Sequence, residues 1–123
     1  MGIGSSTTSS SYEVYVDGST YSTGNVVAYS DARIKENVRT IDNALQVVEG
    51  MRGVYYNRID DDEKKTEIGF IAQEVDAVKG AEPLVTYAED VDQYGVKYGN
   101  TTALLVEAVK ELRAELEELK ASQ

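Results

Sequence analysis

Ser30 and Lys35 are the two side chains of this sequence whose types and spacing suit covalent chemistry. They lie in the run Tyr29-Ser30-Asp31-Ala32-Arg33-Ile34-Lys35, a hydroxyl followed five residues later by an amine. A serine nucleophile needs a partner to take its proton, and a neutral lysine can serve as that base. Spacing restricts how the two can meet. On a continuous α-helix five residues turn about 500°, which would point the side chains roughly 140° apart. The dyad therefore requires Ser30 in an extended or turn segment, with any helix beginning after it. The competing reading is a Ser30 that only caps a short helix and a Lys35 that is a solvated charge.

Composition narrows the chemistry further. The 123 residues contain neither histidine nor cysteine. That removes Ser-His-Asp triads, imidazole acid–base catalysis, His-ligated metals, disulfides and thiolates together, and leaves lysine as the natural base. The net charge of −10 argues against a nucleic-acid partner, because phosphate binding needs clustered Lys and Arg. No apolar run approaches the roughly 18 residues of a membrane span, and no signal peptide is evident, so no membrane partner is expected. The run Asp60-Asp61-Asp62-Glu63 is acidic enough to suggest a metal site. Adjacent side chains diverge, however, and no spaced ligand loop follows, so it reads as a solvated turn. Neither a metal nor a cofactor is expected.

The elements that must position the pair fall on either side of it. Residues 1–11 are almost entirely Gly, Ser and Thr and read as a linker or the edge of something larger. Tyr12 to Val16 alternates at period two, Asp17-Gly18 signals a turn, and Ser19 to Ser22 returns as a second strand. After a turn at Thr23-Gly24-Asn25, Val26 to Tyr29 leads to Ser30. Strands this short and polar cannot fold alone and read as the end of a larger β-structure steadied by neighbouring chains. Beyond the pair, Ile34 and Val38 open an apolar pattern, and Ile41, Ala44, Leu45 and Val48 follow helical spacing up to Gly50. Val54-Tyr55-Tyr56 predicts a strand. Phe70, Ile71, Val75 and Val78 predict one face of a helix that Gly80 ends. Pro83 opens a strand through Tyr87, and Tyr94 to Tyr98 forms another.

A final helix is expected from Asn100-Thr101 to about Lys120. Its residues Leu105, Val109, Leu112, Leu116 and Leu119 are spaced four, three, four, three. Leu105, Leu112 and Leu119 take position d of a heptad, and Val109 and Leu116 take position a. A helix of about 20 residues is marginal alone in water, so the stripe needs a partner. A parallel homo-oligomer is the simplest supply, and packing on its own domain is the alternative. Val at a with Leu at d leans weakly towards two strands. The fold class is α+β, mainly helical: short N-terminal strands, a small mixed body, and a long C-terminal helix. The nine tyrosines, against one Phe and no Trp, suit half-buried strands or subunit contacts.

Four motifs occur in order: Ser30-Asp31-Ala32-Arg33-Ile34-Lys35-Glu36-Asn37-Val38, Gly69-Phe70-Ile71-Ala72-Gln73-Glu74-Val75, Tyr94-Gly95-Val96-Lys97-Tyr98, and Leu104 to Leu112. Together they resemble the C-terminal intramolecular chaperone domain of phage endosialidases, tailspikes and tail fibres, the S74 peptidase family, from Ser30 to about Leu119. The resemblance implies a parallel homotrimeric coiled coil over about 101–120, with Leu105, Val109, Leu112, Leu116 and Leu119 at the trimer interface. It implies that residues 1–29 end an upstream β-rich fibre or tailspike of the same polypeptide and that residues 30–123 form the self-cleaving chaperone. Ser30 maps to the nucleophile, Lys35 to the base, and Tyr29–Ser30 to the scissile bond of a single-turnover serine endopeptidase. Asp31 and Arg33 match motif positions with orienting or structural, supporting roles. Ile34 stands where leucine is common in the family. The implied setting is a virion tail-fibre or tailspike precursor folded in the host cytoplasm, from which the domain is released after cleavage. Bringing a lysine from about 10.4 to roughly 7–8 needs burial, which an assembled trimer would supply. Two other readings compete: a structural trimerisation module that never cuts, and a receptor-binding fibre tip.

Overall fold

The computed structural model describes the backbone of Gly2 and Ile3 and all of residues 9–123. The chain divides into two compact units, residues 1–40 with 88–92, and residues 41–87 with 93–123.

In the first unit, β1 (Gly2–Ile3) pairs in parallel with β2 (Tyr15–Val16). Of the alternation expected from Tyr12, only Tyr15 and Val16 are strand, and the strand expected at Ser19–Ser22 does not form; Val26–Tyr29 likewise has no regular structure. Within the stretch read as a linker or the edge of something larger, Gly2–Ile3 is strand; Met1 and residues 4–8 lie outside the described residues. The physical reason is a shortage of apolar cover: Val26, Val27 and Tyr29 stand open to solvent, and a strand without a packed face is not stable on its own.

The second unit is a small α+β body. α1 (Ala44–Gly50) presents Ala44 and Val47 to the core. It begins from Asn43 in the left-handed region (φ 52°), whose side chain makes no capping bond. Glu111 supplies the cap instead, accepting from the backbone N–H of Ala44 at 2.6 Å and of Leu45 at 3.4 Å. A carboxylate at these unpaired amides also complements the helix dipole. β3 (Val54–Asn57) and β4 (Thr66–Gly69) form an antiparallel hairpin with Tyr55 opposite Ile68. Its loop holds the acidic run as a turn. Asp61 accepts from the amides of Glu63 and Lys65, both at 3.1 Å, and Asp60 pairs with Arg58 at 2.7 Å.

α2 (Ala72–Asp76) follows, with Val75 1% exposed. The helical reading that reached back to Phe70 is therefore corrected. Glu67, Ile68 and Gly69 belong to β4, and Ile71 sits extended at the helix start. Cross-strand pairing with Val54–Tyr56 overrides the 3.6-residue pattern there. Pro83 lies in a 3₁₀ turn (Glu82–Leu84) rather than in the strand, which begins one residue after it as β5 (Val85–Ala88) and forms a two-stranded sheet with β6 (Gln93–Val96). A 3₁₀ turn at Tyr98–Asn100 leads into α3 (Thr101–Ala121). Asn100 gives no side-chain cap; the Thr101 hydroxyl donates to the Tyr98 carbonyl at 2.6 Å.

Ala44, Val47, Val75, Ala81, Leu84, Leu104 and Ala108 form the core. α3 thus docks on its own body through Leu104 and Ala108. The heptad stripe points elsewhere: Leu105, Val109, Leu112, Leu116 and Leu119 remain 46–63% exposed. Packing on its own domain, the alternative for this helix, uses Leu104 and Ala108 and not the stripe.

Gly80 closes the body where only glycine fits. Its φ is +98°, and a Cβ there would lie 2.8 Å from Val47 Cγ2 in the core. Gly80→Ala combines backbone strain with a steric clash and is expected to cost about 2 kcal/mol of stability. Thermal unfolding checks this; an unchanged midpoint would contradict the packing at Val47.

Candidate active site

The backbone around Ser30 solves the spacing problem locally. Ser30 lies outside regular secondary structure, Asp31 is extended (φ −71°, ψ 138°), and residues Ala32–Ile34 make one 3₁₀ turn. The Ile34 N–H donates to the Asp31 carbonyl and the Lys35 N–H to the Ala32 carbonyl, both at 3.2 Å. After this turn Lys35 returns to extended geometry (φ −122°, ψ 144°), and its amine reaches back. Lys35 Nζ lies 2.6 Å from Ser30 Oγ. Hydroxyl and amine are within hydrogen-bond reach, the first geometric requirement of a nucleophile and its base.

Asp31 holds the turn. Its Oδ1 accepts from the Arg33 amide at 2.8 Å, as an N-cap side chain does, and from Arg33 Nε at 3.0 Å. Its Oδ2 accepts from Arg33 Nη2 at 2.9 Å, completing a two-pronged ion pair. The Arg33 hydrogen bonds hold the Asp31 carboxyl below its usual range, and the same pair raises the guanidinium. The sign of the pH effect follows. The tie is present above the ordinary carboxylate range and is lost as pH falls through the depressed value of Asp31. Both side chains are solvent-exposed, so the tie orders the turn more than it stabilises the fold.

Ser30, Lys35 and the scissile-bond candidate Tyr29 are all exposed in the single chain, Tyr29 at 94%. Exposure leaves the Tyr29–Ser30 bond accessible in the single chain. Among the described residues no group of His, Cys, Asp or Glu is arranged to hold a metal ion, and no helix is long and apolar enough to cross a membrane.

The other motifs take structural places. Gly69, at the end of β4, leaves room for Tyr98, whose hydroxyl would lie 2.5 Å from an added Cβ. That hydroxyl accepts from the Phe70 amide at 3.0 Å while the two rings stack at 5.7 Å. The Gly69-Phe70 and Tyr94–Tyr98 motifs are therefore two halves of one contact. Arg52 pairs with Glu74 of the same motif through bonds of 2.9 and 2.7 Å.

One contact escapes sequence reasoning altogether. Asp90 accepts from the Ser10 amide at 2.6 Å and from the Ser11 hydroxyl at 2.8 Å. The partners are about 80 residues apart, and no local pattern announces them.

The sequence profile of Peptidase S74, the chaperone of endosialidase, matches residues 30–91. The long tail fiber protein Gp37 of Enterobacteria phage K3 is 37% identical over 105 residues, covering 79% of this chain and 8% of that protein; its counterpart in Enterobacteria phage T2 matches equally. The Gp37 of Enterobacteria phage M1 is 29% identical over 119 residues, covering 89% of this chain and 47% of that protein. The chain thus spans from less than a tenth to about half of the curated tail fiber proteins it matches. The profile begins at Ser30, the residue the 3₁₀ turn brings against Lys35, and takes in the Gly69 motif; on that match the chain belongs to the chaperone of endosialidase family.

Proposed function

We propose that this chain is an intramolecular chaperone that assembles as a parallel homotrimer, assists an upstream β-rich phage fibre or tailspike segment to fold, and then cuts itself from it. Residues 1–29 are the fibre-side end and residues 30–123 the chaperone. The virion tail-fibre precursor is the setting, with folding in the host cytoplasm.

The observation that carries the reading is the 2.6 Å contact between Ser30 Oγ and Lys35 Nζ at the start of the family match. With Lys35 neutral, Ser30 Oγ attacks the carbonyl carbon of Tyr29 and its proton passes to Lys35 Nζ. The C–N bond then breaks, the proton goes to the Ser30 nitrogen, and an ester joins Tyr29 to the Ser30 side chain. Water hydrolyses that ester, leaving a Tyr29 carboxylate and a free Ser30 amine and hydroxyl. Tethering puts nucleophile and carbonyl in one residue's reach, worth on the order of 7–11 kcal/mol when well oriented. Assembly along the exposed stripe supplies the cover that drives the lysine neutral. All the basic side chains and all but two of the acidic ones follow Tyr29, so freed domains repel one another.

Intact mass of freshly folded protein tests the reading: a fragment beginning at Ser30 supports it, and a permanently whole assembled chain removes it. Asp31 and Arg33 position the dyad. Asp31→Ala is expected to slow cutting about tenfold, the scale of one lost charge-assisted tie. Asp31→Asn, whose amide oxygen still accepts from Arg33 N–H, is expected to recover most of that rate. Equal rates for Asp31→Ala and the parent would assign the turn no part in cutting.

A further inference from the structure

The contact between Asp90 and the serines of the first unit joins the two sides of the proposed cut. Ser10 and Ser11 lie before Tyr29–Ser30, and Asp90 lies well after it. The Asp90 carboxylate accepts from Ser10 N–H at 2.6 Å, from the Ser11 hydroxyl at 2.8 Å and from the Ser10 hydroxyl at 3.4 Å. Ser11 N–H donates in turn to Ser9 Oγ at 3.1 Å, and Ser9 is 7% exposed. Backbone, hydroxyls and carboxylate thus form a small closed set of bonds in which a serine-rich stretch is read by one anion. Between Ser11 and Ser30 the chain has little regular structure, only the two residues of β2, so the peptide bond at 29–30 is not what orders Ser10.

We propose that Asp90 is a latch for the serine-rich segment Ser9–Ser11, holding the fibre side to the chaperone side after the Tyr29–Ser30 bond is broken. The biological use of the latch rests on the cleavage reading, but the latch itself does not. Cutting and parting become separate events, so the domain stays on its client until the carboxylate lets go. The serine contacts hold Asp90 at about 2, which keeps it charged through the whole range in which the fibre would mature. Three copies on one fibre would hold together longer than one, since each latch re-forms while the others persist.

The test uses the full chain and two ways of opening the backbone. The first is the chain's own cut. The second is brief chymotrypsin treatment of Ser30→Ala, which opens the exposed Tyr21 or Tyr29 positions without the dyad. Denaturing electrophoresis reports whether the chain is cut, and size-exclusion chromatography reports whether the pieces stay together. Asp90→Asn is expected to be cut at the parent rate and to release the N-terminal piece about tenfold faster, the factor one charge-assisted contact supplies. Ser11→Ala should fall between. Equal release from Asp90→Asn and its parent, by either route of opening, overturns the latch. A chain that never cuts itself but shows the difference after chymotrypsin keeps the latch and sinks the proteolysis. Amide exchange gives a check on Asp90→Asn folding: the Ser10 amide should lose protection while the Val75 core amides keep theirs.

Discussion

Ser30→Ala is expected to leave the folded, assembled protein whole, with no fragment beginning at residue 30 even after long incubation. The substitution removes the one atom that can accept the Tyr29 acyl group, so the effect is complete rather than partial. Lys35→Ala should fall short of that. A correctly placed general base is worth about 10²–10⁴-fold, and a trace of cutting driven by water or hydroxide survives its loss. Lys35→Arg discriminates further. The guanidinium can sit near the hydroxyl as a donor but does not give up its proton in proteins, so it should match Lys35→Ala and not the parent. The 2.6 Å contact makes this set decisive, because a lysine that only steadies Ser30 by hydrogen bonding would be replaced well by arginine. Cutting of Lys35→Ala at the parent rate would remove the dyad. Timed electrophoresis with mass identification of the Ser30 terminus reads all three variants.

What the sequence made legible divides by range. Thr101–Ala121, Ala44–Gly50 and Val54–Asn57 lie close to where periodicity, caps and β-branched residues place them, because those signals act within a few residues. The turn that brings Ser30 to Lys35 is likewise local: the spacing demands a bend after Ser30, and Asp31 followed by Arg33 supplies it. The failures are contacts made at a distance. Phe70 and Ile71 carry helical spacing, yet the hairpin to Val54–Asn57 claims the residues before them for a strand. Asn43 starts α1 without capping it because Glu111 does so from 67 residues away. Tyr12–Val16 alternates like a strand and Ser19–Ser22 follows a turn signal, but such local signals do not say whether a second strand is there to receive the backbone. The candidate site was legible because its parts sit within six residues. Asp90 was not, since its partners are serines about 80 residues away.

Leu112→Asp is the change expected to act furthest from the site it affects. Leu112 is central in a stripe whose members keep roughly half their surface in water in the single chain, although the same helix already buries Leu104 and Ala108 against its body. At the root of the stripe, Leu105 also lines an apolar cleft of about 180 Å³ with Val48, Met51, Phe70 and Leu104. In the proposed assembly, this second, open apolar face is the one that receives the other copies. Burying the remaining half of each stripe leucine contributes about 0.8–1.5 kcal/mol per chain, whereas three carboxylates facing one another in that layer cannot be buried charged. Leu112→Asp should therefore convert the trimer to monomers in analytical ultracentrifugation. Ala114→Asp, two residues on at the outward f position, should leave the proposed trimer intact. Under the proposed dependence of the dyad on cover by neighbouring copies, loss of assembly should lower cutting about a hundredfold, within the range a general base contributes. The double variant with Ser30→Ala shows whether the monomer still folds, through the Val75 core amides. A folded monomer that cuts as fast as the trimer would free the dyad from any dependence on assembly and return the stripe to a purely structural part.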